Sequence, residues 1–159
     1  MSLEKKPKRK KSKKNEIPLN ALRHQARHYA LQALYQWQMT RAPLADIDAQ
    51  FMIDYDMSNV DVEYFRALLH EIPTQVEALD DLMRPHMVDR APHELTPIEQ
   101  AMLRIGIYEL AHRLDTQYRI VIDEAVILNK KFGAEDAYKF VNAVLDKLAK
   151  QLRPAEYGQ

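Results

Sequence analysis

The sequence predicts an all-α fold of about seven helices in two small packed bundles. Three observations predict it. From Pro18 onward, apolar residues recur every three or four positions almost without a break. Only three of the 159 residues are Gly, too few for the turns of a barrel or sandwich. The β-branched run Ile120-Val121-Ile122 is short and leads into Ala125, Val126 and Phe132 at helical spacing. Apolar residues make up 47% of the chain, enough to bury a core, which argues against disorder over the whole length.

The first helix is expected over about 20–39, with Leu22, Ala26, Ala30, Ala33/Leu34 and Trp37 on one stripe and Pro43 closing the loop after it. A second, shorter helix spans roughly 43–54 through Leu44, Ile47 and Phe51. Ser58 reads as the N-cap of a third, with Asp61 in its first turn and a stripe from Val62 to Ile72 that ends at Pro73. A fourth segment carries Val76, Leu79, Leu82/Met83 and Met87, with a kink or an end at Pro85. Thr96-Pro97-Ile98-Glu99 is a capping box with Pro at the first helical position. The helix it opens is apolar around most of its circumference, so it should be central. Gly106 there is expected to admit a close neighbour, because it otherwise costs about 1 kcal/mol against Ala. The sixth helix is expected to end at Gly133 as the residue after its C-cap. The seventh carries the stripe Ala137, Phe140/Val141, Val144/Leu145, Leu148 and Leu152.

A formal charge of zero conceals an asymmetry. Residues 1–16 hold eight Lys/Arg against Glu4 and Glu16, a net of +6, and the remaining 143 residues carry −6. A disordered basic arm (1–17) is thus expected before the helical body (18–159), which is expected to divide near residue 91 into two subdomains. Such an arm serves either as a nucleic-acid tail or as a solubilising terminus. The absence of Cys excludes disulfide scaffolds, thiol nucleophiles and thiolate zinc sites. No apolar run reaches the roughly 18 residues of a membrane span, and no signal peptide opens the chain, so a cytoplasmic location is expected.

Enzyme chemistry finds little support. His24 and His28 share a helical face, but no HExxH pattern or third ligand accompanies them, and a polar face with Arg23 and Arg27 explains them more simply. The carboxylate pairs Asp80/Asp81, Asp123/Glu124 and Glu135/Asp136 fall near helix starts or on solvent faces. No nucleotide or nucleophile-elbow motif occurs, and no cofactor or metal is expected. The basic residues are more telling. Arg23 and Arg27, spaced i, i+4, are expected to project together as guanidinium forks for phosphates. Lys130, Lys131, Lys139 and Lys147 flank Phe132 and Phe140, an interleaving that suits single-stranded RNA, although Phe140 also fits the edge of the core stripe.

The stretch from Phe132 to Lys147, FGAEDAYKFVNAVLDK, closely resembles the signature of the NusB family of bacterial transcription antitermination factors. The resemblance continues through Arg23–Arg27 with Ala33–Gln38, Asp61–Arg66, Glu99–Leu110 and Ile122–Val126, and covers about residues 19–154. It implies seven helices in two subdomains and a non-enzymatic role. That role is binding the boxA element of ribosomal RNA operon leaders together with NusE, a small-subunit ribosomal protein, in an RNA polymerase complex with other Nus factors. By position it implies RNA contacts at Arg23, Arg27, Arg113, Lys130, Asp136, Lys139 and Phe140, and NusE contacts at Tyr35 and Glu99. The chain departs from the family pattern at His24, Gln25 and His86. One alternative is the related RNA-binding domain attached to some ribosomal RNA methyltransferases. Against it, the sequence ends at Gln159 without a domain to hold S-adenosylmethionine, and a stand-alone factor is expected. The other alternative is a purely protein-binding helical adaptor.

Overall fold

A computed structural model describes residues 17–158, so the expected basic arm lies, but for Ile17, outside the described residues. Among those residues there are seven α-helices and no strand: α1 (Leu19–Thr40), α2 (Leu44–Asp54), α3 (Val62–Glu71), α4 (Val76–Met83), α5 (Pro97–His112), α6 (Tyr118–Phe132) and α7 (Ala137–Leu152). The all-α expectation and the helix count hold. Pro73 and Pro85 each mark the end of a helix. Pro73 sits in a 3-10 turn (Ile72–Gln75) after α3, and Pro85 in another (Arg84–His86) after α4, since neither can donate to an α-helical ladder.

The helix α1 ends at Thr40, as expected ahead of Pro43: Arg41 turns left-handed (φ 56°), bonds back to the Trp37 carbonyl and lays its guanidinium 4.1 Å from the indole. Two local readings change. The N-cap of α3 is Asp61 rather than Ser58, its carboxylate accepting from the Tyr64 N–H at 3.0 Å. Gly133 does not adopt the left-handed cap conformation, having φ −95° and ψ 180°. Glycine is needed there for space. A Cβ would stand 2.5 Å from the Asn129 side-chain oxygen, and Asn129 is fully buried.

The Thr96–Glu99 capping box forms as expected, with Thr96 Oγ1 accepting from Glu99 N at 3.1 Å and Glu99 Oε1 from Thr96 N at 3.0 Å. It starts a helix in which every residue from Ala101 to Leu110 is buried. Helices α1, α4, α6 and α7 all pack on α5. Gly106 permits the approach of α7, because a Cβ there would fall 2.8 Å from the Leu145 side chain. The C-terminal end of α5 is closed by Arg153, which is 5% exposed. Its guanidinium donates to the carbonyls of Leu110 (2.8 Å), Glu109, Arg113 and Thr116 (each 3.0 Å), and to Glu156 Oε1 (2.7 Å). The buried apolar side chains, from Ala26 to Ala149, form one contiguous core that crosses the expected subdomain boundary near residue 91.

Candidate nucleic-acid interface

The first turns of α1 carry Arg23, His24, Arg27 and His28. Their helical spacing turns Arg27 inward, where it is only 2% exposed. It donates from Nε to both oxygens of Glu109 (2.9 and 3.0 Å) and from Nη2 to Oε2 (2.7 Å), with Glu124 3.6 Å away. The Tyr64 hydroxyl donates to the same Glu109 carboxylate. Burial by itself lowers the Arg27 pKa, but the Glu109 bonds and charge outweigh it and the net shift is upward. Burial first, and then Glu109, raise that of Tyr64. The expectation that Arg27 projects beside Arg23 as a phosphate fork is therefore corrected: the residue is an internal cation saturated by α5.

Arg23 and Arg113, two further RNA candidates, gather around Tyr64 with Arg27. Their guanidinium carbons lie 4.5, 4.6 and 5.4 Å from its ring centroid for Arg23, Arg113 and Arg27 respectively. Arg23 is additionally held by Asp115 (3.0 Å) and Thr116 (3.3 Å), and Arg113 lies 3.8 Å from Asp115. Both side chains remain part-exposed, at 14% and 27%. His24 bonds Glu124 at 2.6 Å. His28 faces Lys131, whose Nζ donates to Nδ1 at 3.3 Å. Burial, and then that lysine's charge, hold its pKa below the ordinary imidazole range, so His28 is neutral near pH 7.

The corner where α6 turns into α7 differs in character. Lys130, Lys131, Asp136 and Lys139 are exposed there, and Phe132, Tyr138 and Phe140 are half-buried. Lys130 stands 4.9 Å from the Tyr138 ring and Lys131 5.5 Å from that of Phe132. A groove of about 530 Å³ runs along the same corner, floored by Val126 and Ile127 and edged by Tyr138, Lys139, Asn142 and Asp123. Helix α7 turns Val141, Val144 and Leu148 into the core, which leaves Lys139 outward and Phe140 on the flank, its ring packed on the core.

Two residues with an expected protein contact occupy different settings. Tyr35 is 38% exposed and lines an apolar groove with Met39, Phe51, Tyr55, Ile98 and Phe132. Glu99 is only 7% exposed. Arg90 covers its carboxylate, with Nη2 at 2.8 Å from Oε1, and the same guanidinium lies 4.7 Å from the Phe140 ring centroid. Burial alone raises the Glu99 pKa, yet the bonds from Arg90 and Thr96 bring it below the ordinary glutamate range. Phe132 belongs both to the Tyr35 groove and to the Lys-rich corner, so the two faces adjoin.

The candidates thus divide. Lys130, Asp136, Lys139 and Phe140 stand together at the α6–α7 corner. Arg23, Arg27 and Arg113 surround Tyr64 instead. Sequence reasoning missed Arg90, which lies outside the α-helices in a turn with no periodicity to expose it. It also missed Asp80 as an internal partner, since that carboxylate pairs bidentately with Arg104 at 2.8 and 3.0 Å. His86 bonds Gln151 at 2.8 Å. Among the described residues no three His, Asp or Glu side chains gather as a metal site, and no helix is long and apolar enough to cross a membrane.

Comparison with known proteins places these features in a family context. The model of the NusB family matches residues 24–150. The chain is 52% identical to the transcription antitermination protein NusB of Alcanivorax borkumensis over 137 residues, spanning 86% of this chain and 91% of that one. It is 48% identical to the protein of the same name from Escherichia coli O139:H28, spanning 84% and 96%. A solved structure of T. maritima NusB superposes with a TM-score of 0.70 at 26% identity, covering 84% of this chain and 94% of that one.

Proposed function

From the fact that this chain belongs to the NusB family, we propose that it is a transcription antitermination factor. It binds the single-stranded boxA element of ribosomal RNA operon leaders together with NusE, inside an RNA polymerase complex with other Nus factors, and its work is cytoplasmic. The RNA lies along the α6–α7 corner. Lys130 and Lys139 neutralise phosphates there, Asp136 accepts from base or ribose donors, and Phe140 offers a flat surface to an unstacked base. Arg23 and Arg113 contribute positive field from their cluster around Tyr64, while Arg27 holds the helix that carries Arg23. NusE docks on the Tyr35 groove and the neighbouring Glu99.

The observation that carries this reading is the exposure of cations and half-buried rings together at one corner, next to an apolar groove holding the exposed Tyr35. Unpaired strands require that combination, because every base has a π-face and every nucleotide a negative charge. The test is fluorescence anisotropy with labelled boxA RNA against a scrambled strand, with and without NusE. The cognate strand is expected to bind more tightly, and Phe140→Ala to weaken it by about 1–3 kcal/mol with the fold intact. Equal affinity for the two strands in the presence of NusE overturns the proposal, and NusE binding without RNA discrimination makes the chain a protein adaptor.

Salt dependence supplies a further expected result. For single strands, log affinity falls with log salt by about 0.7 per neutralised phosphate. Deletion of residues 1–16, which removes a net charge of +6, is expected to make that slope shallower. An unchanged slope and affinity dismiss the arm as an RNA contact.

A further inference from the structure

The two groups assigned above to different ligands, the Phe140 ring for RNA and the Glu99 carboxylate for the protein partner, lie beneath one guanidinium. Arg90 reaches Glu99 at 2.8 Å through Nη2 and at 3.4 Å through Nη1, and stands over the Phe140 ring 4.7 Å from its centroid. Phe140 rests on the core, so Arg90 occupies a ring face that a base would need. The Glu99 carboxylate is 9% exposed and its Oε1 already accepts from Thr96 N at 3.0 Å, so Arg90 covers its remaining approach. Arg90 is itself one-third exposed. It belongs to no helix, lying in the turn between the 3-10 segments Arg84–His86 and Pro92–Glu94. The chain enters it through Asp89 in the left-handed conformation (φ 59°), one that acidic and amide side chains tolerate better than most.

We propose that Arg90 is a shared latch that couples RNA binding to protein binding. This rests on the function proposed above. A partner that draws the Glu99 carboxylate to its own donor breaks the Arg90–Glu99 pair, leaves the guanidinium without its anchor and uncovers Phe140. A base stacking on Phe140 displaces the same guanidinium and uncovers Glu99. Whichever ligand arrives first opens the latch, and the second then binds to a face that is already clear. The coupling is positive and, by linkage, of equal size in both directions. Phosphate can receive the released guanidinium as a bidentate partner, which keeps the cation within the complex.

The test measures the affinity of full-length wild type and Arg90→Ala for boxA RNA, alone and with saturating NusE. The substitution leaves the Thr96–Glu99 capping box in place, and circular dichroism checks that the helices persist. Arg90→Ala is expected to bind RNA alone about fivefold to tenfold more tightly than wild type, and the gain conferred by NusE is expected to shrink by the same factor. If NusE tightens RNA binding equally in both proteins, the latch is overturned while the function proposed above stands. If RNA alone binds more weakly to Arg90→Ala, Arg90 is a direct RNA contact and the latch is likewise overturned. Failure of the wild type to discriminate boxA from scrambled RNA with NusE present removes the functional reading and the latch together.

Discussion

Glu109→Ala is expected to lower the unfolding free energy by about 3–5 kcal/mol, enough to unfold a marginal domain at physiological temperature. The reason lies in what remains behind. Arg27 is 2% exposed and donates three hydrogen bonds to the Glu109 carboxylate, and Tyr64 donates its hydroxyl to the same group. Removing the anion leaves the buried cation with only the more distant Glu124, 3.6 Å away, and takes from the Tyr64 phenol its carboxylate acceptor. The pair itself contributes less than its breakage costs, because both ions were first stripped of water. The double variant Arg27→Met, Glu109→Leu is therefore expected to recover most of the loss. Urea denaturation checks both statements through the midpoint at unchanged slope. A Glu109→Ala midpoint within experimental error of wild type refutes the account.

Arg153→Met is expected to rank second, with a loss of about 3 kcal/mol or more. It strips the donor from four backbone carbonyls, two in the last turns of α5 and two in the turn after it, and a buried acceptor left unsatisfied costs about 1–3 kcal/mol. Methionine preserves most of the volume, so the measurement reports the hydrogen bonds rather than a cavity. Amide exchange should quicken selectively at the α5 C-terminus and in the turn before α6. Acid sensitivity should change as well. Burial tends to raise the Glu156 pKa, but the Tyr118 N–H and Arg153 bring it below the ordinary glutamate range. A carboxylate depressed on folding stabilises the protein above its unfolded pKa and loses that contribution as the pH falls. Part of this loss should vanish in Arg153→Met.

Much of the fold was legible because helices announce themselves through spacing and caps. The Thr96–Glu99 box, the proline stops at 73 and 85 and the close approach at Gly106 follow from local rules that tertiary packing then reinforced. Gly133 was misread because glycine answers two separate needs, a left-handed backbone and an absent Cβ, and sequence does not say which. The site was legible where polarity and exposure coincide, as at Lys130, Asp136 and Lys139. It failed at Arg27. An i, i+4 pair of arginines reads as an exposed strip unless its acceptor is known, and Glu109 lies 82 residues away on a helix that looked apolar around most of its circumference. Arg90 was invisible for the complementary reason. Its two contacts are made from an irregular turn, where no periodicity marks a residue as special.

The charges sealed beneath Tyr64 also constrain how this sequence can drift. Exchanging either Arg27 or Glu109 alone strands its partner in the interior, so single steps at these positions lead into a fitness valley, and Tyr64 is tied to the same carboxylate. The three positions should be inherited as a block across descendants, changing together or hardly at all. The lysines of the α6–α7 corner face water and are tied to no interior partner, so the fold alone does not hold them; only a ligand bound there would.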